Sequence, residues 1–236
     1  MTSVWRKEDI MAKIYEELTV KELYSVPEAS IAYPLLERFT YPWEALDSIS
    51  DFIKETGKTL SEDEYEIREG DIYISKRAKV APTAFIGGPC IICEDAEIRH
   101  CAYIRGKAIV GRGAVVGNSV ELKNCILFDG VQVPHFNYVG DSVLGYKSHM
   151  GAGAVTSNVK SDKTPVTVSY DGKKIETGRK KFGAMLGDNV EVGCNSVLNP
   201  GTVIGSHSNV YPLSSVRGYV PKNSIHKSRE NITKKF

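Results

Sequence analysis

A six-residue period runs through most of this chain and restricts its fold more than any other feature. Stepping by six from Ile74 meets Ile74, Val80, Ile86, Ile92, Ile98, Ile104, Val110, Val116, Leu122 and Phe128 without a miss. Roughly a third of residues in an ordinary protein would satisfy such a position, so ten consecutive hits are not chance. Four residues after each hit runs a second, smaller track: Ala78, Ala84, Cys90, Ala96, Ala102, Ala108 and Ala114, then Val120 and Ile126. One large and one small inward residue per six describe a short flat strand followed by a turn. Three such units close a triangular coil of about 18 residues, which buries its core against the coils above and below. Helical (3.6) and hairpin (2) periodicities do not produce this pattern. The expected fold is mainly β: a left-handed parallel β-helix of hexapeptide repeats, with a small helical N-terminal region and a protruding hairpin loop.

The period slips between Phe128 and Val139. It resumes weakly at Leu144 and Met150, and firmly at Leu186, Val192, Leu198, Ile204, Val210 and Val216. Stacking requires equivalent positions to align, so extra residues are expected to leave the coil as loops. The largest excursion is 157–185. Within it, Val166–Tyr170 and Lys173–Thr177 flank Asp171-Gly172, a hairpin signal. The excursion holds seven basic and three acidic residues, a local cationic arm on a chain whose 30 Lys+Arg and 29 Asp+Glu nearly cancel. Before Ile74, Ile10, Ile14 and Leu18 fall at helical spacing, as do Trp43, Leu46, Ile49 and Phe52, punctuated by Pro27, Pro34 and Pro42. The chain therefore divides into a helical region 1–60, a β-helix 61–221 carrying the insertion 157–185, and a basic tail 222–236. The helical region is expected to cap the open end of the solenoid or to make a subunit contact.

The balanced charge gives no field that would favour nucleic acid or membrane as partner. No apolar run approaches the ~20 residues of a spanning helix. The five cysteines (Cys90, Cys93, Cys101, Cys125, Cys194) lie inside regular repeats, which suits reduced thiols in a cytoplasmic protein. Cys90 and Cys93 form a lone CxxC with Cys90 on the inward track, so packing explains them better than a metal does. There is no His-x4-His pair, and no metal is expected.

Residues 18 apart stand above one another in such a coil. Arg105 and Lys123 are such a pair, each following an inward aliphatic residue. Two stacked cations repel unless they share an anion, and the alternative is two solvated surface charges. His135, in the slipped stretch Pro134–Tyr138, is a residue type suited to proton transfer near neutral pH or to a structural role. His149 occupies a turn position.

Three ordered segments carry a resemblance: Val116–Lys123, His135–Asp141 and Gly151–Asn158. Together they resemble the C-terminal acetyltransferase domain of the bifunctional N-acetylglucosamine-1-phosphate uridyltransferase/glucosamine-1-phosphate acetyltransferase. Thr177–Ala184 followed by Gly187-Asp188 is similar to archaeal-type sugar-phosphate nucleotidylyltransferases. The resemblance covers roughly residues 72–221. It implies an N-acyltransferase using acetyl-CoA and an amino-sugar phosphate or related nucleotide sugar, with His135 as general base, and Arg105 and Lys123 holding the sugar phosphate. Tyr138, His149 and Asn158 correspond to positions that contact the sugar. Ala152, whose backbone N–H would face the acetyl group, and Cys194 are the candidates for the coenzyme side. A homotrimer with shared sites follows from the same resemblance.

The chain departs from that pattern in two places: His149 replaces an asparagine, and Val159 replaces a tyrosine. The first 70 residues contain no Gly-x-Gly-Thr-Arg segment and no βαβ pattern, so the uridyltransferase half is expected to be missing. Two other readings stand beside the transferase. One is a non-catalytic coil that binds a sugar nucleotide. The other is a coil that docks a separately encoded nucleotidyltransferase through its helical N-terminus.

Overall fold

In a computed structural model that describes residues 14–228 and 231–235, the chain builds the parallel β-helix that the hexapeptide period predicts. Its first face stacks Ile72–Ser75, Cys90–Ile92, Ala108–Val110, the later halves of Glu121–Leu127 and Tyr138–Leu144, then Ala184–Leu186, Thr202–Ile204 and Tyr219–Val220. The second face runs from Lys79–Val80 through Glu97–Ile98, Val115–Asn118, Gln132–His135, His149–Met150, Glu191–Val192 and Asn209–Val210 to Ser224–Ser228. The third stacks Phe85–Ile86, Tyr103–Ile104, the early halves of the two long strands, Val155–Thr156, Val197–Leu198 and Ser215–Val216. Inward aliphatics from Ile92 to Val216 on the six-residue track fill the interior, nearly all of them fully buried.

The slip after Phe128 has a different cause from the one expected. Cα partners in the early coils are 18 residues apart, as in Ile104 and Leu122. Beyond that corner the spacing falls to 17: Cys125 pairs with Ala108 and Leu122 with Val139. The coil has lost one residue at the corner after Lys123, and nothing loops out near His135. The real insertion lies between Thr156 and Ala184, where Val155 pairs with Val197 42 positions on. Its strands Val166–Tyr170 and Lys173–Arg179 form an antiparallel hairpin, and Asp171 (φ 47°) and Gly172 (φ 70°) supply the two left-handed residues of its tight turn. The hairpin lies back against the coil instead of projecting from it. Val166 and Val168 are buried, and the Tyr170 ring packs 5.3 Å from that of Tyr219.

The outward row of the first face is itself apolar. Tyr73, Ile91, Ile109, Ile126, Val143, Met185 and Val203 are each no more than 6% exposed. A sheet buried on both faces reads as paired apolar residues, here Ile91-Ile92, Ile109-Val110, Ile126-Leu127 and Val203-Ile204. The N-terminal region covers this row: the helix Ile49–Gly57 crosses the strands of three successive coils, and the 3-10 turn Pro42–Asp47 packs on Tyr138–Leu144. It therefore lies along a flank of the solenoid and does not cap its open end. Trp43, Leu46, Ile49 and Phe52 are buried as their spacing predicts. Ile10 lies outside the described residues; of its expected helical partners, Ile14 is 59% exposed and Leu18 is buried. Thr19, in extended conformation, separates two short turns, Glu16–Leu18 and Val20–Leu23.

Antiparallel strands close both ends. Tyr65–Arg68 pairs with Ile72–Ser75 at one end. At the other, within the stretch set apart as a basic tail, Ser224–Ser228 joins the second face and Asn231–Lys234 pairs back on it. Such pairing removes exposed sheet edges.

Candidate functional site

The corner between the third and first faces must turn sharply in every coil, and it does so with a column of left-handed residues: Lys107 (φ 52°), Asn124 (φ 50°) and Asp141 (φ 49°). Asn and Asp tolerate this conformation better than most residues. The turn aims polar side chains at one another. Asp141, with only 4% of its side chain exposed, accepts from Lys123 Nζ at 2.9 and 3.1 Å and from Asn124 Nδ2 at 2.9 Å. Asn158 Nδ2 reaches both Asp141 and, at 3.1 Å, the Tyr138 hydroxyl. Burial and the neighbouring Asp141 carboxylate push the Tyr138 phenol above its usual range, opposed by the Asn158 hydrogen bond. A buried carboxylate is kept ionised by partners of this kind.

Lys123, Tyr138 and Asn158, three residues singled out in the sequence, thus form one hydrogen-bonded cluster. Its centre is Asp141, to which the sequence reading gave no role. The signal was available: Asp141 lies 18 residues after Lys123, one position beyond the Gly140 that pairs with it in the next coil. Arg105 stands on the same face but does not share an anion with Lys123. Its Nη1 bonds Glu121 Oε1 at 2.8 Å, so each cation of the pair has its own carboxylate.

His135 ends its strand at the next corner, between the second and third faces. Its backbone is fixed: its N–H donates to Asn137 Oδ1 (3.1 Å) and its carbonyl accepts from Gly153 N–H (3.0 Å). The buried Asn137 side chain in turn donates to the carbonyls of Gly151 (2.8 Å) and Ala154 (3.0 Å), tying this corner to the one above it. The His135 side chain is exposed and makes no hydrogen bond among the described residues. Ala152, in that tied turn, gives its carbonyl to Asn195 N–H at 2.8 Å, while its own N–H has no partner among the described residues.

His149 and Cys194 face a different way. They line a mostly apolar groove of ≈ 500 Å³ along the second face, with Tyr211, Pro212 and Ile225. His149 Nδ1 lies 2.8 Å from Glu191 Oε2. Gly151 is needed here because a Cβ would stand 2.7 Å from the Cys194 nitrogen and 2.9 Å from its Sγ. Within one chain, then, His149 sits with Cys194 and not with Tyr138 and Asn158, and the His135 corner divides the two groups.

Burial raises the thiols of Cys90 and Cys93 to about 12 each, the values of packed, inert side chains. Among the described residues no group of His, Cys, Asp and Glu could hold a metal ion. No helix among them is long and apolar enough to cross a membrane.

Residues 86–211 match the family model described as the GMPPB C-terminal domain. The chain is 35% identical over 198 residues to the bifunctional protein GlmU of Methanococcus vannielii, covering 82% of this chain and 47% of that protein. It is 34% identical over 167 residues to a bifunctional sugar-1-phosphate nucleotidylyltransferase/acetyltransferase of Sulfurisphaera tokodaii, covering 71% of this chain and 38% of that protein. The chain thus spans less than half the length of these curated relatives. Among solved structures it is similar to the acetyltransferase domain of PglB from Neisseria gonorrhoeae in complex with acetyl coenzyme A, at 15% identity, a TM-score of 0.33, and coverage of 68% of this chain and 56% of that one.

Proposed function

The chain belongs to the GMPPB C-terminal domain family, and from that premise we propose that it is an acetyl-CoA-dependent N-acetyltransferase acting on an amino-sugar phosphate. The observation that carries this reading is the His135 corner, where the imidazole and, in the adjoining turn, the Ala152 N–H have no hydrogen-bond partner among the described residues. A polar cluster lies to one side of it and an apolar groove to the other. In this reading Lys123 and Arg105 face the phosphate of the acceptor, and Tyr138 and Asn158 hold its sugar. The coenzyme lies along the His149–Cys194 groove. His135 takes the proton from the amine as nitrogen bonds to the acetyl carbon and the thiol leaves. Ala152 N–H donates to the oxyanion that develops on the carbonyl. The sequence relatives include a bifunctional sugar-1-phosphate nucleotidylyltransferase/acetyltransferase, which supports the same class of chemistry.

We also propose a homotrimer. Phe85, Tyr103 and Val197 on the third face, and Phe136, Tyr211 and Leu213 at the His135 corner, are exposed apolar side chains, Leu213 at 80%. A concentration of this kind suits contact with a second copy of the chain. It would also bring the groove of one subunit against the polar cluster of the next.

The test is thiol release from acetyl-CoA in a screen of amino-sugar phosphates, glucosamine 1-phosphate first. His135→Ala should lower kcat by about 10²–10⁴-fold with coenzyme binding unchanged. Equal turnover by the variant would remove His135 as base. Failure of the trimeric wild type to bind coenzyme A in calorimetry would leave the non-catalytic, sugar-nucleotide-binding reading.

A further inference from the structure

Beside the Lys123–Asp141 pair lies an open cavity of ≈ 380 Å³, between the coil corner, the exit strand of the hairpin and the N-terminal helical region. Five cations line it (Lys107, Lys123, Arg179, Lys180, Lys181) against two carboxylates, Asp47 and Asp141. Both carboxylates are already engaged. Asp141 holds Lys123, and Asp47 receives Nη1 and Nη2 of Arg179, the first at 3.1 Å. Lys107, Lys180 and Lys181 have no ion-pair partner among the described residues. The Arg179 side chain is only 12% exposed, and its Nε is buried without a hydrogen-bond partner among the described residues, whereas Asp47 is 84% exposed. A buried guanidinium donor left unpaired is costly, and like charges gathered around a cavity repel unless an anion lies among them.

We propose that this cavity is a diphosphate subsite, and that the acceptor is therefore a nucleoside-diphosphate sugar and not a sugar monophosphate. This rests on the reading that Lys123 faces the acceptor. One phosphate lies by Lys123 and the Asp141 cluster, and the second lies among Lys107, Lys180, Lys181 and Arg179. Asp47 occupies Arg179 in competition with the ligand, a carboxylate standing where a phosphate oxygen would be. The volume lies in the range of ligand sites and admits a diphosphate with part of its sugar. Coenzyme A also carries a diphosphate, but the cavity adjoins the Tyr138–Asn158 cluster and not the His149–Cys194 groove.

Calorimetric titration of the full chain with inorganic pyrophosphate tests this separately from turnover. The wild type should bind pyrophosphate at least tenfold more tightly than inorganic phosphate. Lys107→Ala and the double variant Lys180→Ala/Lys181→Ala should each weaken it at least tenfold. Asp47→Asn, which removes the competing carboxylate, should tighten it about threefold. Unchanged melting temperatures would show that these exposed side chains are not needed for folding. The subsite is overturned if wild type and lysine variants bind pyrophosphate alike, if neither binds, or if coenzyme A displaces it. Wild-type turnover of glucosamine 1-phosphate equal to that of an amino-sugar nucleoside diphosphate would overturn the subsite while leaving the transferase reading intact.

Discussion

His226 is 4% exposed, and its Nδ1 is buried without a hydrogen-bond partner among the described residues. Burial favours the neutral ring and holds its pKa below the ordinary 6.5. Between the lowered value and 6.5 the unfolded chain binds more protons than the folded one, so stability falls as pH drops through this window. His226→Phe keeps a flat aromatic ring, slightly larger than imidazole, removes the titration and removes an unsatisfied polar atom. The expected result is a melting temperature that falls less between pH 7 and pH 5.5 than that of the wild type, with a slope difference of at most about 1.4 kcal/mol per pH unit. An identical pH slope in the two proteins would mean that the ring is not buried in solution. Asp188 poses the opposite problem of a buried carboxylate. Burial raises its pKa, while it accepts from the Ser25 N–H (2.7 Å) and hydroxyl (3.0 Å) and from the Tyr146 N–H (2.8 Å), bolting the N-terminal region to the coil.

Among the elements, the helical region and the insertion meet at Trp43. Its ring stacks 4.6 Å from Tyr41 on one side and 5.5 Å from Phe182 on the other, and it is 2% exposed. Trp43→Ala should cost about 3–5 kcal/mol in urea unfolding. It should also loosen the hairpin exit, read as faster amide exchange over Gly178–Phe182. A loss below about 1 kcal/mol would mean that the region is only loosely applied to the coil. The coil itself was legible in the sequence because stacking forces one residue type onto every sixth position. The hairpin was legible because Asp171-Gly172 has few other uses. The flank was harder to see. Ile91, Ile109 and Ile126 repeat at 17 or 18 residues, but they sit beside inward aliphatics and disappear into ordinary apolar pairs. Asp141 was missed for a related reason: its partner lies one coil away, and a side-chain pair of that kind shows only when the chain is read coil by coil. The position of His149 could not be read from spacing at all, because local motifs do not say on which side of a corner a residue stands.

At the scale of the molecule, light scattering should give a mass three times the 26.0 kDa of the chain, and Leu213→Asp should return it to that of the single chain. A wild-type mass equal to one chain would sink the trimer. A triangular prism has three sides, and the N-terminal region has already covered one with the chain's own residues. Only two sides remain to meet a neighbour, one bearing the apolar groove and the other the polar cluster. A head-to-tail contact that joins unlike sides joins residues of different chains at every junction, and closes into a ring of three when each copy is turned by a third of a revolution. Such a protein should show complementation between damaged copies. A chain disabled at Lys123 and another obstructed at Cys194, each inert alone, would regenerate an intact junction in about one of four when refolded together at random.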